Sequence, residues 1–252
     1  MPRKLSIALM LAATLAATAA RADTVKVLTS GAYKQIVLAL VPAFESRTGH
    51  TVVVSNDTAG ALAKRVAGGE IFDVLVLTPA AMNEFAARGT VLGASLKPLA
   101  QVGIGVAVKA GAPHPAIGSV EQFRQTLLDA RKVAYIDPAA GGSSGIYLEG
   151  LFQRLGIADA IHAKAVLVQG GFVAEKLVTG EADLAVHQVS EILPVTGAEL
   201  IGPIPEPVQN YTSYTGAVSA RSLHPQAAQA LLDSLSGEAA AAVLQQKGML
   251  PP

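Results

Sequence analysis

The chain has 252 residues, 51% of them hydrophobic, so it can bury a sizeable core over one or two domains, and a disordered or fibrous protein is excluded. Aromatic residues make up only 4%, Trp is absent, and 19 Lys+Arg balance 19 Asp+Glu, which leaves neither a stacking platform nor a basic surplus for nucleic acid. Cysteine is absent too, removing thiol nucleophiles, disulfides and Cys-based zinc sites together, so any chemistry must use oxygen, imidazole, amine or backbone groups.

The chain starts with Arg3 and Lys4, then an apolar, Ala-rich run from Leu5 to about Ala20, then Ala20-Arg21-Ala22 before Asp23. That basic, apolar, A-x-A order is the pattern of a secretory signal peptide cleaved after Ala22. Cleavage would remove Arg3, Lys4 and Arg21 and leave a net acidic exported chain. As a membrane anchor the apolar run is short.

From Val25 onward, short apolar runs alternate with segments of helical periodicity. The runs are Val25–Leu28, Thr51–Val54, Asp73–Leu77, Val102–Val108, Val133–Ile136, Ala165–Val168 and Asp183–His187. Several are apolar at nearly every position, as strands covered on both faces are. Between them Ile36, Leu40 and Phe44, then Leu62 and Val66, then Phe123 and Leu127 recur at helical spacing. The βαβα alternation predicts an α/β protein with open, mostly parallel sheets flanked by helices. Breaks fall near Leu99 to Gly105 and at Gly202 to Pro207, where Pro203, Pro205 and Pro207 stiffen the chain. A strand from Tyr211 to Ser219 and two helices, about Pro225–Leu235 and Glu238–Lys247, complete the order. If this end rejoins the first lobe, the division is 1–22 signal peptide, 23–104 first part of lobe 1, 105–206 lobe 2 and 207–252 return to lobe 1, with a ligand cleft between the lobes.

Three strand-to-helix turns carry small and hydroxyl residues: Thr29-Ser30-Gly31-Ala32, Thr58-Ala59-Gly60 and Gly141-Gly142-Ser143-Ser144-Gly145. Each would aim backbone N–H groups of a helix N-terminus at one cleft, which accepts an anion; one such turn alone is ordinary N-capping. The third turn also fits G-x-S-x-G around Ser143, but Asp137-Pro138-Ala139-Ala140 intervenes after the strand, so it makes a poor nucleophile elbow. His50, His114, His162, His187 and His224 lack metal spacing, and no phosphate-loop or dinucleotide fingerprint is present, so no metal or cofactor is expected. His187-Gln188-Val189-Ser190-Glu191 follows a buried strand: His187 is a candidate base, Gln188 a donor and Glu191 a second acid or base, against the plainer reading that Ser190 caps a short helix. Tyr33, Lys34, Tyr211 and Tyr214 have weaker claims on the cleft.

The chain from Asp23 resembles the periplasmic molybdate-binding proteins, solute-binding components of ABC importers with a type II periplasmic binding fold. The resemblance lies in Val27-Leu28-Thr29-Ser30-Gly31-Ala32, Thr58 to Ala63, Gly68-Gly69-Glu70-Ile71-Phe72-Asp73-Val74, Asp137-Pro138 with Ser144-Gly145-Ile146-Tyr147, Leu155-Gly156, and Gly180 to Val186. It implies a two-lobed periplasmic monomer that closes on a small anion and meets a membrane permease. This chain departs where Ala32 stands at the family's first ligand serine, where Thr58-Ala59-Gly60 replaces its second serine turn, and where Gln188 follows His187 in place of a tyrosine. The run Gln188-Val189-Ser190-Glu191-Ile192-Leu193-Pro194 is also similar to a branch that includes an isomerase of aconitate.

The preferred expectation is therefore a solute-binding protein for a molybdate- or tungstate-like oxyanion or a small carboxylate. Ser30, Gly31, Thr58, Gly60, Ser143, Ser144 and Gln188 would bind the ligand. The alternative is an enzyme interconverting cis- and trans-aconitate, with His187 as first choice of base and Glu191 as second.

Overall fold

A computed structural model describes residues 22–252; the proposed signal peptide lies, but for Ala22, outside the described residues. In chain order the main elements are β1 (Thr24–Ser30), α1 (Gly31–Thr48), β2 (Thr51–Asp57), α2 (Ala59–Ala67), β3 (Val74–Leu77), α3 (Pro79–Ala87), β4 (Lys97–Val102), β5 (Ile104–Lys109), α4 (Val120–Asp129), β6 (Val133–Ile136), α5 (Ser143–Arg154), α6 (Ala158–His162), β7 (Ala165–Val168), α7 (Glu175–Val178), β8 (Leu184–Gln188), α8 (Val189–Ile192), β9 (Ala198–Pro203), β10 (Thr212–Val218), α9 (Pro225–Ser236) and α10 (Glu238–Gln246).

The strands form two five-stranded sheets, ordered β2-β1-β3-β10-β4 and β7-β6-β8-β5-β9. In each, one strand runs against the others: β10 is antiparallel to β3 and β4, and β5 is antiparallel to β8 and β9. The remaining pairings, β1 with β2 and β3, and β6 with β7 and β8, are parallel. All four residues of β3 and of β6 are buried, because helices cover both faces of each sheet. In the first sheet Val25, Val27 and Val74 pack with Ile36 and Phe44 of α1 and Leu231 of α9, while Leu28, Leu75 and Leu77 turn to Leu62 of α2 and Met82 of α3. The second repeats this with Phe123, Leu148 and Phe152 on one face and Val173, Leu177 and Ile192 on the other. Period-two alternation along buried strands thus feeds two cores per sheet.

The run Val102–Val108, expected as one strand, is two. Gly103 separates β4 in the first sheet from β5 in the second, and this is one crossing between lobes. The other runs from the end of β9 to the start of β10. Gln209 ties the crossings together: its Oε1 accepts from the Ile104 N–H at 2.8 Å and its Nε2 donates to the Ile104 carbonyl at 2.9 Å. A Cβ at position 103 would lie 3.2 Å from the Tyr211 ring and 3.3 Å from the Gln209 carboxamide, so glycine lets these side chains pack close against the crossing.

Candidate functional site

The carboxyl ends of β1, β2, β6 and β8 meet between the two sheets, where this strand order places a ligand crevice. The cleft is nearly closed, with a cavity volume of about 30 Å³. Ser30, Gly31, Thr58, Ser143, Ser144, His187, Gln188 and Glu191 line it, together with Tyr214. Asn56, Asp57, Gly170 and Gly171 also line it and were not singled out from the sequence; an Asn-Asp pair ending a strand just before a helix-capping Thr is the signal that marks the first two.

Two of the three turns present open helix ends. The N-termini of α1 and α5 carry no side-chain cap, so the first-turn N–H groups of an 18-residue and a 12-residue helix face the cleft with their dipoles. The second turn is engaged otherwise. Thr58 Oγ1 accepts from the Ala61 N–H at 3.2 Å and donates to the Ala140 carbonyl of the opposite lobe at 2.5 Å. The Gly60 N–H donates to the Gly141 carbonyl at 3.0 Å. Gly60 does not itself line the cleft: a Cβ there would lie 2.9 Å from Gly141 Cα, and one on Gly141, whose φ is +75°, would lie 2.8 Å from Gly60 Cα. Backbone meets backbone between the lobes at this clasp, a contact that only two glycines permit.

The G-x-S-x-G match has a packing reason. Helix α5 begins so close to the end of β6 that a Cβ on Gly142 or Gly145 would overlap Ile136. Ser143 is the first residue of α5 after an intervening 3-10 turn, Pro138–Ala140, and no histidine hydrogen-bonds it.

The fourth wall is β8 and the short α8. Ser190 does not cap α8; that position is Gln188, and Ser190 Oγ instead donates to the Ala32 carbonyl of α1 at 3.0 Å. The Gln188 carboxamide and the Tyr214 hydroxyl bond each other reciprocally at 3.0 and 3.2 Å, joining β8 to β10. Burial, and then the Glu191 charge, push the Tyr214 hydroxyl well above its ordinary range. Tyr33 points away from the cleft, its hydroxyl donating to the Leu235 carbonyl, and Tyr211 bonds Glu206.

His187 and Glu191 are 2% and 6% exposed, and His187 Nδ1 lies 3.5 Å from Glu191 Oε2. Burial holds both neutral around pH 7: it pushes the Glu191 carboxyl up to about 8, against the pull of Lys34, and the His187 imidazole down to about 3. The pair is not an ion pair. His187 Nδ1 accepts the Gln188 N–H at 2.6 Å, so its ring proton sits on Nε2. Among the described residues, the buried side-chain polar atoms with no hydrogen-bond partner are Ser30 Oγ and His187 Nε2, and both residues line this one cleft. No group of three or more His, Asp or Glu among the described residues is placed to hold a metal ion.

Residues 25–250 match the model of the bacterial extracellular solute-binding proteins. The chain belongs to this family. A protein of Pseudomonas sp named aconitate isomerase is 36% identical over 250 residues, covering 97% of this chain and 94% of that one. Among solved structures, the periplasmic molybdate-binding protein of Azotobacter vinelandii superposes with a TM-score of 0.77 at 19% identity, over 90% of this chain and 99% of that one. The sulfate-binding protein of Mycobacterium tuberculosis H37Rv gives 0.73 at 18% identity, over 91% and 87%. At such identities the two structures establish the shared fold. Solute-binding members are extracellular by family, and no helix among the described residues is long and apolar enough to cross a membrane.

Proposed function

We propose that the protein isomerises an unsaturated polycarboxylate of the aconitate type, with Glu191 as the group that moves the proton. The observation that carries this reading is a buried carboxyl at the uncapped end of a helix: Glu191 Oε1 lies directly over Gly31 at the start of α1. A neutral carboxyl there can donate a hydrogen bond to an anion and, once ionised, can take a proton from one. An acid whose pKa is raised to about 8 is poised for proton transfer near neutral pH. The 36% identical relative named aconitate isomerase supports the same reading.

Shifting the double bond needs one C–H bond broken next to a carboxylate and one formed at the far end of the allyl system. Glu191, once ionised, takes the first proton, and the electron pair spreads over the allyl unit into the adjoining carboxylate. The protonated Glu191 then returns a proton to the other terminus, so no oxidant or cofactor is required. The uncapped ends of α1 and α5, with Ser30, Ser143 and Ser144, hold the carboxylates. His187 is the poorer base because its imidazole protonates only near pH 3.

The clasp at Thr58, Gly60, Ala140 and Gly141 supports a closing motion about the crossings at Gly103 and Gln209 that excludes water from the site. In this reading the lobes are 23–104 with 207–252, and 105–206, in a periplasmic monomer released by cleavage after Ala22. Incubation with trans-aconitate, followed by proton NMR, tests the proposal: cis-aconitate should accumulate, and Glu191→Gln should abolish it while still binding the tricarboxylate.

A second reading, capture of a small oxyanion or carboxylate for an importer permease, is favoured by the two open helix ends, which suit any oxyanion. Thermal shifts with molybdate, tungstate, sulfate, citrate and both aconitates separate the two, because a ligand held only by the folded state raises the melting temperature.

A further inference from the structure

We propose that His187 acts as a fixed neutral N–H donor to the carboxylate that takes up charge when Glu191 removes the proton, and that it does not itself accept one. The inference rests on the isomerase reading. Its basis is geometric. The Gln188 N–H occupies His187 Nδ1 at 2.6 Å, which leaves Nε2 as the protonated ring nitrogen. That Nε2 is buried and meets no acceptor among the described residues, although leaving a buried donor without a partner is costly. A substrate oxygen in the cleft supplies the missing acceptor.

The surroundings match this role. The Glu191 carboxyl from α8 and the Gln188 backbone approach the ring at Nδ1, and Ser30, whose buried Oγ is likewise unpartnered, lines the same cleft. Lys34 acts on Glu191, Asp57 lines the same cleft, and burial keeps the imidazole neutral at working pH. Removing a proton beside a carboxylate concentrates charge on that carboxylate's oxygens. Donors already fixed and desolvated stabilise such charge more in the transition state than in the ground state. An imidazolium would instead give its proton to the enediolate and trap it.

The first test is nitrogen-15 NMR of the full chain labelled in its histidines, with and without trans-aconitate. We expect His187 to stay in the neutral Nε2–H form from about pH 5 to pH 8 and its Nε2–H resonance to move downfield when the tricarboxylate binds. Titration of His187 within that range, or an Nε2–H resonance that ignores the ligand, would overturn the proposal. The second test is kinetic. His187→Ala should lose about 10²–10³ in kcat with KM little changed, as loss of one oxyanion donor does. His187→Gln, whose side-chain amide still donates but cannot transfer a proton, should recover to within about tenfold of the wild type. Equal loss in both variants, each folded by circular dichroism, refutes a pure donor. If the wild type binds trans-aconitate and shifts the Nε2–H resonance but turns nothing over, the isomerase reading falls and the donor assignment stands.

Discussion

The Glu191 carboxyl occupies the space that a side chain on Gly31 would need: a Cβ at position 31 would overlap Glu191 Oε1. Helix α8 of one lobe and helix α1 of the other therefore meet through an acid and a missing side chain. The Ser190 bond to the Ala32 carbonyl fixes their relative height. Gly31→Ala suits the helix itself, whose φ there needs no glycine. We expect the variant to fold with an unchanged melting temperature or a slightly higher one, and to lose at least about tenfold in kcat because the acid is displaced. Steady-state kinetics beside a thermal melt checks this.

The raised Glu191 pKa fixes the direction of the pH profile. The base form exists only above the folded pKa, so kcat/KM should rise with pH and level off above about 8. An imidazole base with the ordinary His pKa would place the limb near about 6.5 instead. A pH series of kcat/KM on the wild type distinguishes the two groups.

The same shift acts on stability. Between 4.5, the ordinary carboxyl value, and about 8, the folded chain keeps a proton on Glu191 that the unfolded chain has released. The unfolded state binds fewer protons there, so stability from this group is full below 4.5 and is lost as pH rises through about 8. His187 runs the other way: its pKa is lowered from 6.5 to about 3, so its contribution is present above 6.5 and is lost as pH falls toward 3. Glu191→Gln should therefore shrink the drop in melting temperature between about pH 6 and about pH 9 relative to the wild type. His187→Gln should shrink the drop on the acid side. Differential scanning calorimetry at three pH values reads both.

The strands and most helices were legible because β3 and β6 are apolar throughout, β1 and β8 each hold a run of apolar residues, and Leu62 and Val66 recur at helical spacing. Periodicity cannot say which sheet a strand joins, and so Val102–Val108 read as one strand although Gly103 hands it from one sheet to the other. The turns at Ser30 and Ser143 were visible as small residues between strand and helix. That Thr58 and Gly60 grip the opposite lobe was not visible, because a hydroxyl and an N–H look alike whether their acceptor is a ligand or a carbonyl 82 residues away. Glu191 was visible as an acid after a buried strand. Its place over Gly31 depends on two lobes meeting, and sequence spacing carries no trace of that.

The glycine clasp gives a separable prediction. Gly60→Ala improves the intrinsic helix propensity of α2 by up to about 1 kcal/mol but puts a methyl group against Gly141 backbone. Because the methyl group also breaks the Gly60–Gly141 contact, the melting temperature should fall or at best stay level, and the affinity for a cleft ligand, read by calorimetry, should fall at least about tenfold because closure is obstructed. Thr58→Ala should weaken binding by about 1–2 kcal/mol through the lost bond to the Ala140 carbonyl.

On the proposed mechanism Glu191 carries a proton between two carbons of a bound polycarboxylate. The most direct measurement incubates the protein with trans-aconitate in deuterium oxide and follows both isomers by proton NMR and mass. Cis-aconitate should form with its new methylene keeping the proton that Glu191 took from the substrate, solvent deuterium entering only as fast as the carboxyl exchanges, at a rate that Glu191→Gln abolishes without abolishing binding. A wild-type protein that binds trans-aconitate yet shows neither isomerisation nor deuterium uptake would contradict it.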